Sequence, residues 1–166
     1  MKTRKRNNKP RQHRRLVDTM QLALMRATRL TPQEVAHQMA PARAAFEALR
    51  RGQAAHRQWQ VMAATLTIAA SIEKQGVVKG LAGILAETDA ALDAIANRAG
   101  SAEKWRAPVL RGDEIRLLGE FLHVHEFQLA QLSYREYRQA CAQAVARVRC
   151  GGGVAIDLRK EECEMA

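Results

Sequence analysis

The sequence is poor in cysteine, and its few cysteines are badly placed for cross-linking. Cys141, Cys150 and Cys163 all fall within the last 26 residues, they are odd in number, and no two of them form a C-x-x-C pair. A disulfide framework or a zinc knuckle needs paired cysteines at short spacings. This distribution argues against both scaffolds and indicates a reducing, cytoplasmic setting.

Long apolar runs are also missing. The longest nearly apolar stretch, Val61 to Ile72, has 12 residues and includes threonine and serine, whereas a membrane-spanning helix needs about 20. A secretory leader is not expected either, because Asp18 interrupts the apolar segment that follows the basic start and no A-x-A cleavage pattern appears in the first 30 residues. An Arg-rich, acid-poor start is typical of mitochondrial transit peptides too, and that alternative stays open. We expect no membrane association.

Sequence motifs of catalysis are lacking as well. The chain contains no glycine-rich phosphate loop, no nucleophile elbow and no Ser, His and Asp grouping. Because no constellation of residues points to a reaction, we predict a protein that is not an enzyme and needs no cofactor.

What the sequence does contain is positive charge, and most of it lies at one end. Residues 1–15, which we call the basic arm, hold eight cations and no carboxylate, whereas the remaining 151 residues carry 19 cations and 17 anions. The arm therefore supplies +8 of the net charge of +10. Its eight cations are Lys2, Arg4, Lys5, Arg6, Lys9, Arg11, Arg14 and Arg15.

A cluster of this kind is typical of binding to DNA or RNA. Each phosphate that Lys or Arg neutralises releases counterions, and log K falls by about 0.9 per such phosphate for each log unit of salt. This affinity is strong but insensitive to base sequence. The alternative is a solubilising tail, or one that touches an acidic protein surface. The density of cations and the lack of any acid favour nucleic acid.

Helical periodicity dominates the first half of the chain behind the arm. Leu16 to Leu30 has the spacing of a short amphipathic helix. The T-P-Q-E motif at 31–34 is a capping box, so a second helix should begin there and then kink or restart at Pro41. Gln53 to Gln75 is apolar on two sides, which predicts a central helix, and another helix should run from Val77 to Gly100.

The second half contains the clearest helix. Asp113 is its predicted N-cap, and apolar residues repeat along it at alternating spacings of three and four, with His125 among them. The S-Y-R-E motif at 133–136 is a second capping box, so a further helix should continue to about Arg149 before three glycines end it. We call the apolar residues of the repeat the helix seam: Ile115, Leu118, Leu122, Leu129 and Leu132.

Together these patterns predict an all-α fold, an irregular four- to five-helix bundle. The expected domains are a disordered basic arm at 1–15, a helical bundle at 16–149, and a glycine-rich break with a flexible tail at 150–166. Only Val154 to Leu158 could form a strand, and no internal repeat is present.

Two sharper interpretations of the helices are disfavoured. Arginines on the last helix suggest a helix-turn-helix, but only Leu132 and Ser133 separate the two helices, which is tighter than the usual turn, and we expect Tyr134 and Tyr137 to pack rather than stack on bases. E-x-x-H pairs at 34–37 and 120–123 resemble those of carboxylate-bridged metal bundles. Because Glu34 belongs to a capping box, and Glu73 and Glu87 are poor further ligands, we predict no metal site.

Single histidines and cysteines have structural interpretations. His125 should be a neutral core histidine that shares one hydrogen bond. His56 and Trp59 should pack together, and Cys141 should be an inert core thiol, whereas Cys150 should be exposed.

The order of these segments resembles one group of known proteins. The segments that carry the resemblance are KRNNKP, MAPARAAFEALRRGQAAHRQW and LRGDEIRLLGEFLHVHEFQLAQLSYREYRQA. They are similar in style and order to small, uncharacterised helical proteins of bacteriophages and prophages that share a basic start. The resemblance implies a bacterial cytoplasmic setting and an accessory role on nucleic acid or on a host protein.

Two functional hypotheses follow. In the first, the arm binds the DNA or RNA backbone and the bundle is a rigid, self-associating body, a homo-oligomer. In the second, the protein is an inhibitor or adaptor that docks a host protein through the helix seam or through Leu16 to Leu30.

Overall fold

The computed structural model describes residues 27–151, and five α-helices lie wholly within that range. They are α1 (Pro32–Arg50), α2 (His56–Gln75), α3 (Ala82–Ala99), α4 (Gly112–Gln131) and α5 (Tyr134–Cys150). A 3₁₀ turn at Ala102–Lys104 lies between α3 and α4, and no strand occurs among these residues apart from one isolated bridge. The predicted all-α bundle is confirmed. The basic arm, nearly all of the Leu16 to Leu30 segment and the tail after Gly151 lie outside the described residues.

Helix α2 is the centre of the bundle, as its two apolar sides predict. It packs against α1, α3 and α5, whereas α4 packs mainly against α1 and α3. Both stripes of α2 are buried: Met62 and Ala69 on one, Val61 and Ile72 on the other. A helix that is apolar nearly all round can bury its surface only by taking neighbours on several sides.

The start of α1 follows its capping box. The backbone N–H and the hydroxyl of Thr31 both donate to Glu34 Oε2 at 2.8 Å, and the backbone N–H of Glu34 donates back to the Thr31 hydroxyl at 3.3 Å. The helix then continues through Pro41 to Arg50 without interruption, so the predicted restart does not occur. Buried Met39 and Ala42 flank the proline and hold this part of the helix in the core.

Helix α3 begins at Ala82, later than the predicted Val77. Gly80 has a φ of +90°, which is incompatible with a continuing right-handed helix. Glu73 Oε1 accepts hydrogen bonds from the backbone N–H groups of Gly80 and Leu81 at 2.9 and 3.1 Å. This carboxylate at the end of α2 therefore fixes the loop from which α3 starts.

The start of α4 corrects another prediction. Its N-cap is Arg111, so Asp113 lies inside the first turn and does not cap the helix. Glu114 takes over the capping role, because its Oε2 accepts from the backbone N–H of Arg111 at 2.8 Å and from the guanidinium of Arg98 at 2.6 Å. The ion pair joins the last turn of α3 to the first turn of α4, and the Glu114 side chain is only 7% exposed.

Two tryptophans join separate elements of the bundle, because Trp59 links α2 to α3 and Trp105 links the loop before α4 to the loop before α2. Trp59 Nε1 donates to the carbonyl of Leu92 at 2.9 Å, and Trp105 Nε1 donates to the carbonyl of Ala54 at 2.9 Å. Both indole rings also pack against His56, at centroid distances of 5.6 and 4.9 Å. The predicted packing of His56 with Trp59 is confirmed, and both indole N–H groups are used inside the protein.

Candidate nucleic-acid interface

The chain that leads from the basic arm joins the bundle at the junction of α4 and α5. Arg29 and Ser133 form an antiparallel bridge, the backbone N–H of Leu30 donates to the carbonyl of Leu132 at 2.8 Å, and the N–H of Tyr134 faces the carbonyl of Thr28 at 3.4 Å. Leu30 is buried beneath this contact. We call this junction the arm root. The eight arm cations themselves lie outside the described residues.

Helix α5 presents arginines beside the arm root. Its fully buried side chains are Tyr137, Ala140 and Ala144, and helix α2 covers them. The four arginines of the helix are all exposed: Arg135, Arg138, Arg147 and Arg149. One side of α5 carries three of these arginines, and we call it the α5 basic face. At 3.6 residues per turn, the five residues of this face fall within about 80° around the helix axis. They are Arg135, Arg138, Ala142, Ala146 and Arg149.

The one acid on α5 does not neutralise this face. Glu136 Oε2 accepts from the backbone N–H and the hydroxyl of Ser133, at 2.8 and 2.7 Å. These two hydrogen bonds lower the pKa of Glu136. The carboxylate is thus committed to the capping box that starts the helix, and the predicted second capping box is confirmed.

Several arginines elsewhere in the bundle have carboxylate partners. Arg43 pairs with Glu126 at 2.7 Å, and Glu47 serves both Arg50 and Arg51, at 2.9 and 3.8 Å. Among residues 27–151, by contrast, the three arginines of the α5 basic face take part in no ion pair.

Helix α3 carries three exposed acids. Glu87, Asp89 and Asp93 lie on its surface, and the arginine at the end of the helix pairs with Glu114. Helix α4 is acidic as well, with four carboxylates and one arginine. Helices α3 and α5 both pack on α2, and neither packs substantially against the other. The bundle consequently has a basic region at α5 and acidic regions at α3 and α4.

The helix seam is buried against other helices of the same chain. Leu118, Leu129 and Leu132 are completely buried, Leu122 is 7% exposed, and Ile115 is half-buried against the same core. Because α4 packs on α1 and α3, the helices that the seam was predicted to face belong to its own bundle. A foreign helix could reach these five residues only by displacing part of that bundle.

His125 sits in the seam as the predicted neutral core histidine. Its Nδ1 lies 3.2 Å from Gln128 Oε1, and Gln128 Nε2 donates to the carbonyl of Ala69 at 3.3 Å. Burial lowers the pKa of His125 to about 4, because an apolar environment disfavours the charged imidazolium. The pair ties α4 to α2 through polar groups inside the core.

The E-x-x-H pairs are not assembled into a site. Glu34 is held by Thr31, whereas His37, His123 and Glu87 are exposed on different helices. Glu73 serves the backbone ahead of α3. Across residues 27–151 no three side chains of His, Cys, Asp or Glu come together in a way that could hold a metal ion.

The tyrosines of α5 differ in environment. Tyr137 is buried, and its hydroxyl donates to Gln38 Oε1 at 2.7 Å, so its predicted packing is confirmed. Tyr134 is 39% exposed. The two-residue connection between α4 and α5 is present, but α5 packs on α2 rather than chiefly on α4.

Sequence reasoning missed two parts of this region. The bridge between Arg29 and Ser133 joins residues distant in sequence, and no local motif predicts it. The α5 basic face, however, has a local signal: a helical projection of 134–150 places three arginines on one side with no acid among them.

Comparisons with known proteins supply no further indication of function. No protein-family model, curated protein or solved structure matches this chain. In the part of the chain that the structure describes, no helix has both the length and the apolar character that crossing a bilayer requires.

Proposed function

We propose that the protein is a non-enzymatic nucleic-acid-binding protein whose basic arm neutralises backbone phosphates with little preference for base sequence. The observation that carries the proposal is the segregation of charge, with +8 in residues 1–15 and +2 in the other 151 residues. Charge spread evenly over the surface would mainly confer solubility, whereas charge concentrated in one short segment creates a local site for a polyanion.

The arm root supports this proposal. It brings the chain that leads from the arm to the first turn of α5, where Arg135 and Arg138 are exposed. Residues 28–30 therefore lie beside the first turn of α5, and we expect the arm and the α5 basic face to contact the same polyanion. The bundle then serves as the rigid body from which the arm extends.

The setting we propose is the bacterial cytoplasm, with the protein acting as an accessory protein of a bacteriophage or prophage. Nucleic acid is accessible there, and the reducing environment suits the thiols of half-buried Cys141 and exposed Cys150.

Salt-titrated binding to labelled DNA and RNA tests the proposal. Three proteins are compared: the full chain, a form lacking residues 1–15, and a matched control that keeps the length of the arm but has Gln at its eight Lys and Arg positions. If most arm cations contact phosphate, the log–log salt slope of the full chain should be steeper than that of either altered form by up to about 7. Circular dichroism should show the same helical signal for all three.

Two results would overturn this function. One is undiminished binding by the arm-deleted protein. The other is absence of nucleic-acid binding together with one stoichiometric, nuclease-resistant protein partner, which would establish an adaptor or inhibitor acting on a host protein.

A further inference from the structure

Helix α5 is a peripheral helix with an unusually open outer side. Its buried stripe is narrow and consists mostly of alanine, and it lies against α2. Half-buried Cys141, Val145 and Val148 flank the stripe, and the opposite side of the helix is exposed. Nothing else among residues 27–151 covers the α5 basic face. A helix attached to the bundle along one stripe can present its opposite side to a large partner.

The arginines of α5 are placed at its two ends. On the α5 basic face, Arg135 and Arg138 lie near the first turn and Arg149 lies in the last turn. At a rise of 1.5 Å per residue, Arg149 is about 19 Å along the helix axis from the midpoint of Arg135 and Arg138. The major groove of B-form DNA is about 12 Å wide and admits an α-helix. A helix that crosses the groove with this spacing brings cations to the phosphates on both of its sides.

The middle of the exposed side suits close approach. It consists of Gln139, Ala142, Gln143 and Ala146, all exposed, with no acid and no aromatic ring. Small side chains let a helix backbone come near the floor of a groove, whereas an acid would repel phosphate. Glutamine can also donate to and accept from base edges.

The same features disfavour other nucleic acids. The major groove of an A-form RNA duplex is deep and too narrow for a helix. Single strands are bound by stacking their bases on aromatic rings, and the only exposed aromatic of α5 is Tyr134, at the very start of the helix.

The arrangement of charge also favours an orientation in which α5 faces the DNA. The arm root and exposed Arg29 lie at the arginine-bearing first turn of α5, so Arg29 adds a further cation at the end of α5 that carries Arg135 and Arg138. The acids of α3 lie on another helix packed on α2, away from this face. A polyanion therefore meets α5 first.

We propose that α5 docks in the major groove of B-form duplex DNA, with its terminal arginines on the flanking phosphates and its alanine- and glutamine-rich middle facing the bases. This inference rests on the proposed function and adds the class of nucleic acid that the protein binds. It does not require a preferred base sequence.

The decisive experiment uses the full chain and three probes of one sequence: a 30-bp DNA duplex, the corresponding RNA duplex and single-stranded DNA. The triple variant Arg135→Gln, Arg138→Gln, Arg149→Gln is compared with a control of equal charge loss on other exposed surface, Lys74→Gln, Lys79→Gln, Arg106→Gln. The α5 variant should lose at least about ten-fold in affinity for duplex DNA and reduce its salt slope by about 3. The control should change affinity for every probe by less than about three-fold.

A steric variant tests entry into the groove without changing charge. Ala142→Phe places a large ring in the middle of the exposed side, and Ala90→Phe on exposed α3 is its matched control. Ala142→Phe should weaken duplex DNA binding by at least about five-fold and leave RNA duplex and single-strand binding within two-fold. Ala90→Phe should leave binding to all three probes unchanged.

The outcomes separate this inference from the proposed function. Two results together support both proposals: arm deletion abolishes binding to all three probes, and the α5 variants lose binding to duplex DNA alone. Equal losses on all three probes in the arginine variant, or normal duplex binding by Ala142→Phe, overturns groove docking and leaves the arm as the binding element. Undiminished binding after arm deletion overturns the proposed function itself.

Discussion

At the residue scale, the most constrained polar group in the core is the imidazole of His125. It is surrounded by apolar residues of α4 and its neighbours, stacks on Phe121 at a centroid distance of 6.1 Å, and has Gln128 as its hydrogen-bonding partner. Gln128 Nε2 in turn donates a hydrogen bond to the backbone carbonyl of Ala69 in α2. A chain of buried polar groups in which every member has a partner favours one register of α4 against α2.

His125 predicts a pH-dependent stability. Its pKa is about 4 in the folded protein and 6.5 as its ordinary value, so between these pH values the unfolded chain binds more protons than the folded one. The free energy of unfolding should therefore fall as the pH drops from 7 to 4, with about 3 kcal/mol of the loss due to this residue. Denaturant titrations at several pH values measure it.

A pair of variants isolates that contribution. His125→Gln keeps a hydrogen-bonding side chain and should flatten the pH profile of the free energy of unfolding. His123→Gln, on the exposed side of α4, should give the same pH profile as the unaltered protein. Identical pH profiles for His125→Gln and the unaltered protein would contradict the assignment.

At the scale of a single element, α1 shows how packing outweighs local preference. Pro41 has no N–H to donate to the carbonyl of His37, and a proline inside a helix costs roughly 3 kcal/mol. The helix nevertheless continues, because Val35, Met39 and Ala42 bury one continuous stripe on either side of the proline. Sequence reasoning allowed a restart at Pro41, and only the tertiary contacts decide that the helix persists.

Replacing Pro41 should therefore stabilise the protein. Pro41→Ala restores a backbone donor and should raise the free energy of unfolding by about 1 to 3 kcal/mol. Pro32→Ala is the matched control, because a proline at the first helical position lacks only a donor that has no partner there. We expect that control to change stability by less than about 1 kcal/mol. Thermal and denaturant unfolding measure both. A loss of stability in Pro41→Ala would mean that the core is packed around the proline itself.

At the scale of the whole molecule, the bundle separates its charges by assigning them to different outer helices. Helix α2 lies between the acidic surface of α3 and the α5 basic face. Packed helix axes are about 8 to 10 Å apart, so α3 should lie more than one helix diameter from a polyanion held at α5. The Debye length at physiological salt is about 8 Å, and charges beyond it are largely screened.

The acids of α3 should consequently have little effect on DNA binding. We expect the triple variant Glu87→Gln, Asp89→Asn, Asp93→Asn to raise affinity for duplex DNA by less than about three-fold near 0.15 M salt. Fluorescence anisotropy with the same 30-bp duplex provides the measurement, with the α5 arginine variant as the reference for a large effect. A ten-fold gain would place α3 near the DNA and contradict docking through α5.

Local patterns in the sequence were sufficient for the class of fold and for several helix starts. Both capping boxes, the two-sided apolar character of α2 and the neutral core role of His125 follow from residues a few positions apart. The prediction failed at the N-cap of α4 and at the start of α3, because carboxylates whose roles depend on folded geometry decide both points. Glu114 is shared between Arg111 and Arg98, and Glu73 reaches the N–H groups ahead of α3.

By itself the sequence determined that the chain is helical, that most of its net positive charge lies in residues 1–15, and that α2 needs neighbours on more than one side. These properties depend on composition and on spacing along one helix. Only the tertiary structure decided that other helices of the same chain bury the helix seam, that the arm root lies at the first turn of α5, and that the arginines of the α5 basic face form no ion pair with residues 27–151. Each of these depends on contacts between residues far apart in the chain, which form only when the whole core is buried together.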